Sequence, residues 1–416
     1  MAEEKITLPI HSALIPTFYQ RFHCLAQDCR DNCCVDWNIT FDKKDYLRLR
    51  RLDAPPALRE RLEKWVRRKK KGGHDGTLYG KFDLVANHLR CPFLDEDGLC
   101  AIQRACGHDA LPKVCTTYPR SVEYTVAAKE YTLDPSCEGV LQLLWDLPEG
   151  IEFVEDPLPK TEQMNASFIK GKNLLLYFAP VREACIDILQ TRAIPLSERM
   201  LCLGVMIQQL LKEDWEDFDL DGWEQQAAML LESDAVAEMD IPGDWYRFVV
   251  QNLSVLKMID MAHKSWPDEI YKALEVEWGI ASGAGENDPA GIQGNFSLNA
   301  YAEALAQFKT AFSDYEYFFE NLMVAVALHI HFPLLDSKES LWKSYVSLCN
   351  LYSFYRFASV AGCKDDCTKE RLFHMIVMAG RATMHSTIYG EFQEQLFKQG
   401  TSSLAYMAIL LRWDQV

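Results

Sequence analysis

Apolar residues in the second part of the chain recur every three or four positions, which is the spacing of amphipathic helices. The pattern predicts helices over 198–211, 245–261, 315–330, 341–358, 372–384 and 403–411. A polar stretch at 281–296 interrupts it, and its Gly, Asn and Asp residues favour a loop. The second part of the chain is therefore predicted to be all-helical.

The first part of the chain shows shorter patterns of both kinds. Helical spacing covers 42–52 and 56–71, and the second stretch opens on prolines, which suit a first helical turn. We predict that the basic run at 67–71 is the solvated end of this second helix. Short strands are predicted at 81–85, 122–127 and 130–133. A tight turn should join the last two as a hairpin.

The segment 134–137 (Asp-Pro-Ser-Cys) has the composition of a helix start. Asp134 is predicted as the cap and Pro135 as a first-turn residue. Cys137 would then lie in the first turn, where the helix dipole favours a thiolate.

A proline- and acid-rich stretch at 148–159 is the predicted domain boundary. We therefore predict a mainly α protein of two units. A small mixed α+β cysteine-rich metal domain should occupy residues 1–150, and an all-helical body should occupy residues 151–416.

The net charge of −17 is distributed unevenly between these two regions. Residues 1–150 hold 22 basic and 22 acidic side chains, whereas residues 151–416 hold 21 basic and 38 acidic ones. An acidic body argues against nucleic acid as a partner, because nucleic-acid affinity depends on neutralising phosphates. It would instead attract a lysine-rich protein.

The sequence contains no apolar run long enough for a membrane span, and its first 25 residues open on acidic residues without an apolar stretch. We therefore predict no membrane segment, no signal peptide and a cytoplasmic location. Thiols stay reduced in that compartment, so the 14 cysteines indicate metal or catalytic chemistry rather than disulfides.

Nine cysteines lie in the first 137 residues, mostly in three motifs. The motifs are C-x4-C-x3-C-C at 24–34, C-P-F-L-x5-C at 91–100 and C-x2-Y-P-R at 115–120, and one more cysteine follows at 137. Thiolates are soft ligands that suit iron–sulfur clusters and zinc. The candidate metal ligands are Cys24, Cys29, Cys33, Cys34, Cys91, Cys100, Cys115 and Cys137.

The residues leave two kinds of metal open. Structural zinc sites usually present close cysteine pairs, and this chain has no CxxC. Iron–sulfur clusters accept thiolates from scattered loops, which favours a cluster, 4Fe-4S in type, with zinc as the alternative. Adjacent side chains such as Cys33 and Cys34 point to opposite faces in extended backbone. Either two metal sites exist, therefore, or one of these two thiols does not bind metal.

Other cysteines and histidines are expected to be structural. The cysteines in this group are Cys106, Cys185, Cys202, Cys349, Cys363 and Cys367. His23, His88 and His108 lie near the cysteine motifs and are expected to support the fold rather than bind metal.

The cysteine motifs resemble those of the flagellin lysine-N-methylases (FliB-type), a family with a zinc- or iron-chelating cysteine cluster. The run 24–37, CPFLDEDGLCAIQ at 91–103 and CTTYPR at 115–120 carry the resemblance. A weaker likeness continues at 199–204, at 316–335 and from His374 onward.

This resemblance implies a reaction and the residues near it. The reaction is transfer of a methyl group from S-adenosylmethionine to lysine ε-amines of flagellin, with an iron–sulfur cluster required. The eight candidate cysteines are implied as metal ligands. Tyr118 and Arg120 match the family's Tyr-Pro-Arg and are implied as residues that contact the cofactor. Arg120 would do so by binding the carboxylate of S-adenosylmethionine.

Two usual signatures of S-adenosylmethionine chemistry are missing from the sequence. The CxxxCxxC of radical enzymes does not occur, and the glycines at 279–285 lie in a helical and then loop-like context rather than after a strand. No catalytic residue is identified from the sequence. A non-catalytic metal-binding protein and a redox-sensing interaction protein remain the alternatives to a methylase.

Overall fold

The structure is a computed structural model, and it describes residues 7–9, 12–35, 39–69, 78–84, 90–124, 128–157, 163–165, 177–213, 217–241, 245–261, 281–282, 292–293, 297–333, 335, 337–385 and 387–412. All structural statements concern these residues. They form a small mixed region followed by a helical body, which confirms the predicted fold class. No helix among them combines the length and apolarity needed to cross a membrane.

Short helices alternate with strands in the first region. These helices are α1 (Lys43–Arg51), α2 (Pro56–Trp65), α3 (Ala101–Cys106), α4 (Lys113–Thr117) and α5 (Glu138–Trp145). The Asp42 side chain accepts a hydrogen bond from the Asp45 backbone N–H and so caps α1.

The helical body has Phe178–Gln190 as its first described helix. Its helices are α6 (Phe178–Gln190), α7 (Leu196–Leu210), α8 (Leu220–Glu232), α9 (Trp245–Met261), α10 (Leu298–Ala311), α11 (Glu316–His329), α12 (Lys338–Cys363), α13 (Lys369–Met384), α14 (Thr387–Gln399) and α15 (Leu404–Leu411). All six helices predicted for this region are present. The largest difference concerns 341–358, which is part of the longer α12.

The strands form four small sheets. They are β1 (Thr7–Pro9), β2 (Ser12–Pro16), β3 (Thr40–Phe41), β4 (Val66–Arg68), β5 (Gly80–Phe82), β6 (Arg120–Tyr124), β7 (Ala128–Leu133), β8 (Phe153–Pro157), β9 (Gln163–Asn165), β10 (Ala281–Ser282) and β11 (Ile292–Gln293). The sheet orders are β6-β7-β2-β8, β3-β5-β4, β1-β9 and β10-β11.

Strand pairing both confirms and extends the predictions. β6 and β7 pair antiparallel, as the predicted hairpin requires. β8 lies inside the predicted boundary stretch and pairs antiparallel with β2, so the main sheet extends past residue 150. The division of the chain at 150 stays a prediction. Within the predicted loop at 281–296, β10 and β11 form a two-residue ribbon.

Two local predictions were wrong. The second helix ends at Trp65 rather than at 71, and Arg67 and Arg68 lie in β4. The reason is that Val66 is buried and pairs with Phe82, so sheet pairing overrides helical spacing. Asp134 does not cap α5: a turn intervenes, and Cys137 occupies the cap position.

The hydrophobic residues form two cores. The smaller core lies beneath the second and third cysteine motifs and includes Phe82, Phe93 and the buried Cys91. The larger core fills the helical body and also takes in Phe22 and Val140 from the first region. The β2–β7–α5 part of the first region is therefore packed on the body, which fixes one wall of the cysteine region against it.

Helix α7 approaches α12 and α15 closely at Gly204. A Cβ built on Gly204 would lie 2.1 Å from Oη of Tyr345 and 2.7 Å from Cδ1 of Leu404. The Tyr345 ring is fully buried and its hydroxyl donates to the Met200 carbonyl oxygen, so it has no room to move. A glycine is required at this contact.

We expect Gly204→Ala to lower the free energy of unfolding by about 1–3 kcal/mol, because it overpacks a filled core. Gly390 is the matched control: it lies in the exposed part of α14, and a Cβ there meets no described atom within 4 Å. Gly390→Ala should raise stability by roughly 0.5–1 kcal/mol through helix propensity. Urea unfolding of both variants measures the difference, and equal midpoints would contradict the packing.

Candidate metal centre

The first two cysteine motifs lie side by side. The Cys91 backbone N–H donates to the Cys34 carbonyl oxygen at 2.7 Å, and Val35 forms an antiparallel bridge with Arg90. Next to this bridge, Asn32 Nδ2 donates to the Gly98 carbonyl oxygen at 3.0 Å. These backbone contacts bring the 24–34 loop against the 91–100 segment, although about 60 residues separate them in the sequence.

The third motif reaches the same place through α4. The backbone N–H of Lys113, the first residue of α4, donates to Asp45 Oδ2 at 2.7 Å. This hydrogen bond connects the start of α4 to α1. Cys115, in the middle of α4, is close enough to Cys33 and Cys100 for their charges to raise the pKa of its thiol, in addition to the larger effect of burial. All three motifs therefore meet around Cys33.

The pKa values of the thiols in this group are set largely by hydrogen bonds between the thiols and by the charges of neighbouring thiols. The hydrogen bond between Cys33 and Cys34 is the largest influence holding the pKa of Cys33 well above its usual value. The same bond lowers the pKa of Cys34, but the hydrogen bond with Cys91, burial and the charges of Cys91 and Cys115 raise it on balance. Without a cation these thiols resist ionisation together.

Cys29 and Cys137 are also close enough to Cys33 for its charge to raise the pKa of their thiols. Burial raises the pKa of Cys29, and the charges of Glu138 and Cys137 raise it further. Burial likewise raises the pKa of Cys137 to about 12, and the backbone N–H groups of Val140 and Gly139 offset this only in part. The helix start therefore does favour the Cys137 thiolate, as predicted, but burial raises the pKa by more than the helix start lowers it.

The last candidate ligand is Cys24, whereas Cys106, His108 and His88 were expected to be structural. Cys24 is exposed, and its Sγ accepts a hydrogen bond from the Ala26 backbone N–H. Cys106 points to the Asp53 carbonyl oxygen. His108 is exposed beside Asp109, and His88 lies outside the described residues.

The cysteine group has the chemistry of a metal site without the geometry of a single-ion site. Among the described residues, no three Cys, His, Asp or Glu side chains are close enough together to hold one metal ion. Neighbouring thiols whose charges raise one another's pKa values nevertheless suit a cationic centre, because a metal lets them ionise together. The donor set is therefore that of a thiolate-bound metal, zinc or iron.

Glu138, at the start of α5, organises the irregular segment that carries Cys29 and Cys33. Its Oε2 accepts hydrogen bonds from the backbone N–H groups of Arg30 at 2.7 Å and Asp31 at 2.9 Å, and from the Cys29 thiol at 3.4 Å. One buried carboxylate thus satisfies backbone donors that have no partner in secondary structure.

The helical body holds the same segment from α13. His374 Nδ1 donates to Asp31 Oδ1 at 2.5 Å. Arg381 donates to the Asp31 carbonyl oxygen and, at 3.4 Å, to that of Val35. The positive charge of Arg381 also lowers the pKa of Cys33 in part. A helix of the body therefore forms part of the cysteine site.

A second polar group lies at the junction of the two regions, and the sequence analysis missed it. Asp134 Oδ2 lies 2.6 Å from His385 Nε2 and 3.9 Å from His329 Nε2. Burial by itself raises the pKa of Asp134, but the hydrogen bond from His385 and the charges of both histidines outweigh it and lower the pKa to about 2. No sequence signal joins these residues, because both histidines lie at helix ends about 200 residues or more after Asp134.

Tyr118 contacts this polar group, whereas the described contacts of Arg120 are with other residues. Burial holds the pKa of Tyr118 well above its usual value, and its hydroxyl lies 3.1 Å from Ser136 Oγ. Arg120 is exposed; it donates to the Phe22 carbonyl oxygen at 2.8 Å and lies over the Phe22 ring. The described contacts of Arg120 thus include a carbonyl oxygen and an aromatic ring.

Comparison with known proteins matches the two regions separately. A family model described as the FliB lysine N-methylase C-terminal domain matches residues 182–410. A model of a candidate zinc- or iron-chelating domain, with the pattern CxxCxxCC, matches residues 23–138. No solved structure matches the chain.

Three curated proteins are similar to parts of the chain. A lysine-N-methylase of Salmonella typhimurium is 30% identical over 164 residues, and one of Salmonella choleraesuis is 29% identical over 164 residues. These matches span 39% of this chain and 39% of each relative. The flagellar biosynthetic protein FliU of Salmonella muenchen is 29% identical over 143 residues, or 34% of this chain and 80% of that protein. Since the FliB model covers more than half of its residues, this chain belongs to the FliB lysine N-methylase family.

Proposed function

We propose that the protein transfers the methyl group of S-adenosylmethionine to lysine ε-amines of flagellin, and that its cysteines hold an iron–sulfur cluster. The observation that carries this proposal is that α13 is hydrogen-bonded to the cysteine segment. His374 and Arg381 of α13 both donate to Asp31. This contact makes the helical region that matches the methylase family part of the same site as the thiols. A simple metal carrier would need no such connection.

The metal ligands would come from the eight candidate cysteines. Cys33, Cys34, Cys91 and Cys115 have the closest mutual influence, with Cys29, Cys100 and Cys137 next to them. When bound, the cluster supplies redox chemistry and S-adenosylmethionine supplies the methyl group. The residues of the chain then have to bind the substrate and remove a proton, because a lysine ε-ammonium cannot attack a methyl carbon until it is deprotonated.

The charge of the chain suits flagellin lysines. The second region carries the whole excess of acidic side chains, while the first is neutral. Acidic side chains on the body would draw a cationic substrate segment toward the junction, where the thiols and the Asp134 group lie. Exposed charges are screened by salt, so this attraction weakens as ionic strength rises.

The function itself is tested with protein that is purified without oxygen and carries its cluster. Incubation with flagellin, S-adenosylmethionine and a reductant should add 14 Da, or multiples of it, to flagellin lysines in peptide mass spectra, about one methyl group per step. Cluster-loaded protein that leaves every flagellin lysine unmodified would refute the methylase proposal and favour a metal-binding or redox-sensing role.

Substitution of the central cysteines tests the metal site. We expect Cys91→Ser and Cys115→Ser to lose visible absorbance and most bound iron and sulfide, because an alcohol is a poor ligand for a soft metal centre. Cys106→Ser is the matched control from the same region, since its thiol faces the Asp53 carbonyl oxygen. Iron, sulfide and zinc analysis measures the outcome. Full metal content in both central variants would exclude them as ligands.

Arg120 and Tyr118 are proposed to contact the cofactor. One N–H of Arg120 donates to the Phe22 carbonyl oxygen, and its guanidinium has further N–H groups. A guanidinium can bind a carboxylate through two parallel hydrogen bonds. We expect Arg120→Ala to raise the KM for S-adenosylmethionine about 10-fold or more, with cluster absorbance unchanged. Arg120→Lys should recover only part of the loss. An unchanged KM in Arg120→Ala would remove Arg120 from the cofactor site.

A further inference from the structure

Five polar side chains converge where the main sheet, α11 and α13 meet. Asp134 follows β7, and the two histidines come from the end of α11 (His329) and just after α13 (His385). Ser136 joins them: its Oγ lies 3.1 Å from His385 Nε2 and 3.1 Å from the hydroxyl of Tyr118. The Ser136 backbone N–H donates to Asp134 Oδ1 at 2.8 Å. We call these five residues the junction group.

The junction group is not a nucleophilic triad, although it contains Ser, His and Asp. In such a triad the carboxylate and the hydroxyl bind opposite nitrogens of the imidazole ring. Here Asp134 and Ser136 both approach the same nitrogen, Nε2 of His385. The Ser136 hydroxyl is also already engaged, because its Oγ contacts both His385 Nε2 and the Tyr118 hydroxyl. A hydrolytic or acyl-transfer role is excluded by this geometry.

The junction group lies near the thiol region at one end and is partly exposed to solvent at the other. Tyr118 is within electrostatic reach of Cys137 and Arg381, and Arg381 is within reach of Cys33. At the other end, the His385 side chain is 25% exposed and that of His329 is 20% exposed, whereas Asp134 is 4% exposed. The group therefore places a buried carboxylate behind two partly open imidazoles, next to the metal region.

Its composition suits a primary ammonium group. A carboxylate and a tyrosine hydroxyl can accept hydrogen bonds from an ammonium, and an imidazole is the most frequent proton acceptor in enzymes. A carboxylate on one imidazole nitrogen fixes the orientation of the ring and stabilises its protonated form. The arrangement offers both functions that methylation of a lysine requires, binding of the cation and removal of its proton.

We propose that the junction group receives the substrate lysine, with Asp134 and Tyr118 binding the ε-ammonium and His385 accepting its proton. One N–H bond of the ammonium breaks, its electron pair stays on the nitrogen for the bond to the methyl carbon, and the proton passes to the His385 ring and then to solvent. The methyl–sulfur bond of S-adenosylmethionine breaks with its electron pair on sulfur. This inference rests on the proposed function for its reaction, but its binding step can be measured without any reaction.

The binding step is tested with two flagellin peptides, one with a single lysine and one with norleucine in its place. Norleucine has nearly the same shape without the ammonium, so calorimetry with cluster-loaded protein isolates the contribution of the cation. We expect the lysine peptide to bind about 10-fold or more tightly, from one or two charge-assisted hydrogen bonds. Asp134→Asn should abolish this preference and leave affinity for the norleucine peptide unchanged.

The proton step is tested with His385→Ala and added imidazole. Loss of a general base should lower kcat by about 100-fold or more. Imidazole in the buffer should restore at least about 10-fold of the lost rate, because the His385 position is open to solvent. A merely structural histidine would not show this rescue. His108→Gln, at an exposed site beside Asp109, is the control and should match the wild type.

The outcomes separate this inference from the proposed function. Wild-type protein that methylates flagellin while Asp134→Asn and His385→Ala do so equally well would overturn the junction group and leave the methylase intact. Wild-type protein that prefers the lysine peptide through Asp134 but never methylates it would support the binding site and refute the methylase. Equal affinity for both peptides overturns the inference. Should Asp134→Asn fail to fold, the kcat of His385→Ala and its rescue by imidazole decide.

Discussion

The cysteine site depends on how the irregular segment that carries Cys29 and Cys33 is held in place. Such a segment has few hydrogen bonds of its own, so its backbone groups need partners from elsewhere. Glu138 accepts from two of its N–H groups, and Arg381 donates to two of its carbonyl oxygens. These buried charges, one from α5 and one from α13, fix the thiols relative to both regions of the chain.

The same helix serves both polar sites. His374, Arg381 and His385 are spaced seven and four residues apart, which places them on one face of a helix. His374 and Arg381 bind the cysteine segment, and His385 enters the junction group. The position of α13 depends in turn on its packing against α12 in the large core. A large helical body is therefore a physical requirement for placing three side chains beside a small cysteine region.

The thiols around Cys33 and the carboxylate of Asp134 differ in how easily they ionise. Thiols that raise one another's pKa values need a cationic centre before they can ionise together, and Arg381 supplies only part of that charge. Asp134 is the opposite case, because two histidines keep its buried carboxylate ionised. This charge distribution would suit the cationic lysine side chain that the proposed function requires.

Local spacing was enough to predict the helical body and the β6–β7 hairpin. Residue chemistry was enough to select the candidate cysteines, whose role as metal ligands stays a prediction. The sequence-based prediction failed at 66–68, where pairing with β5 overrides helical spacing, and at Asp134, which binds His385 instead of capping α5. Which thiols lie around Cys33 and which histidines reach Asp134 depends on how the helices and strands pack. The reason is that these contacts join residues far apart in the sequence, and their distances are set by helix packing and strand pairing, neither of which leaves a periodic signal.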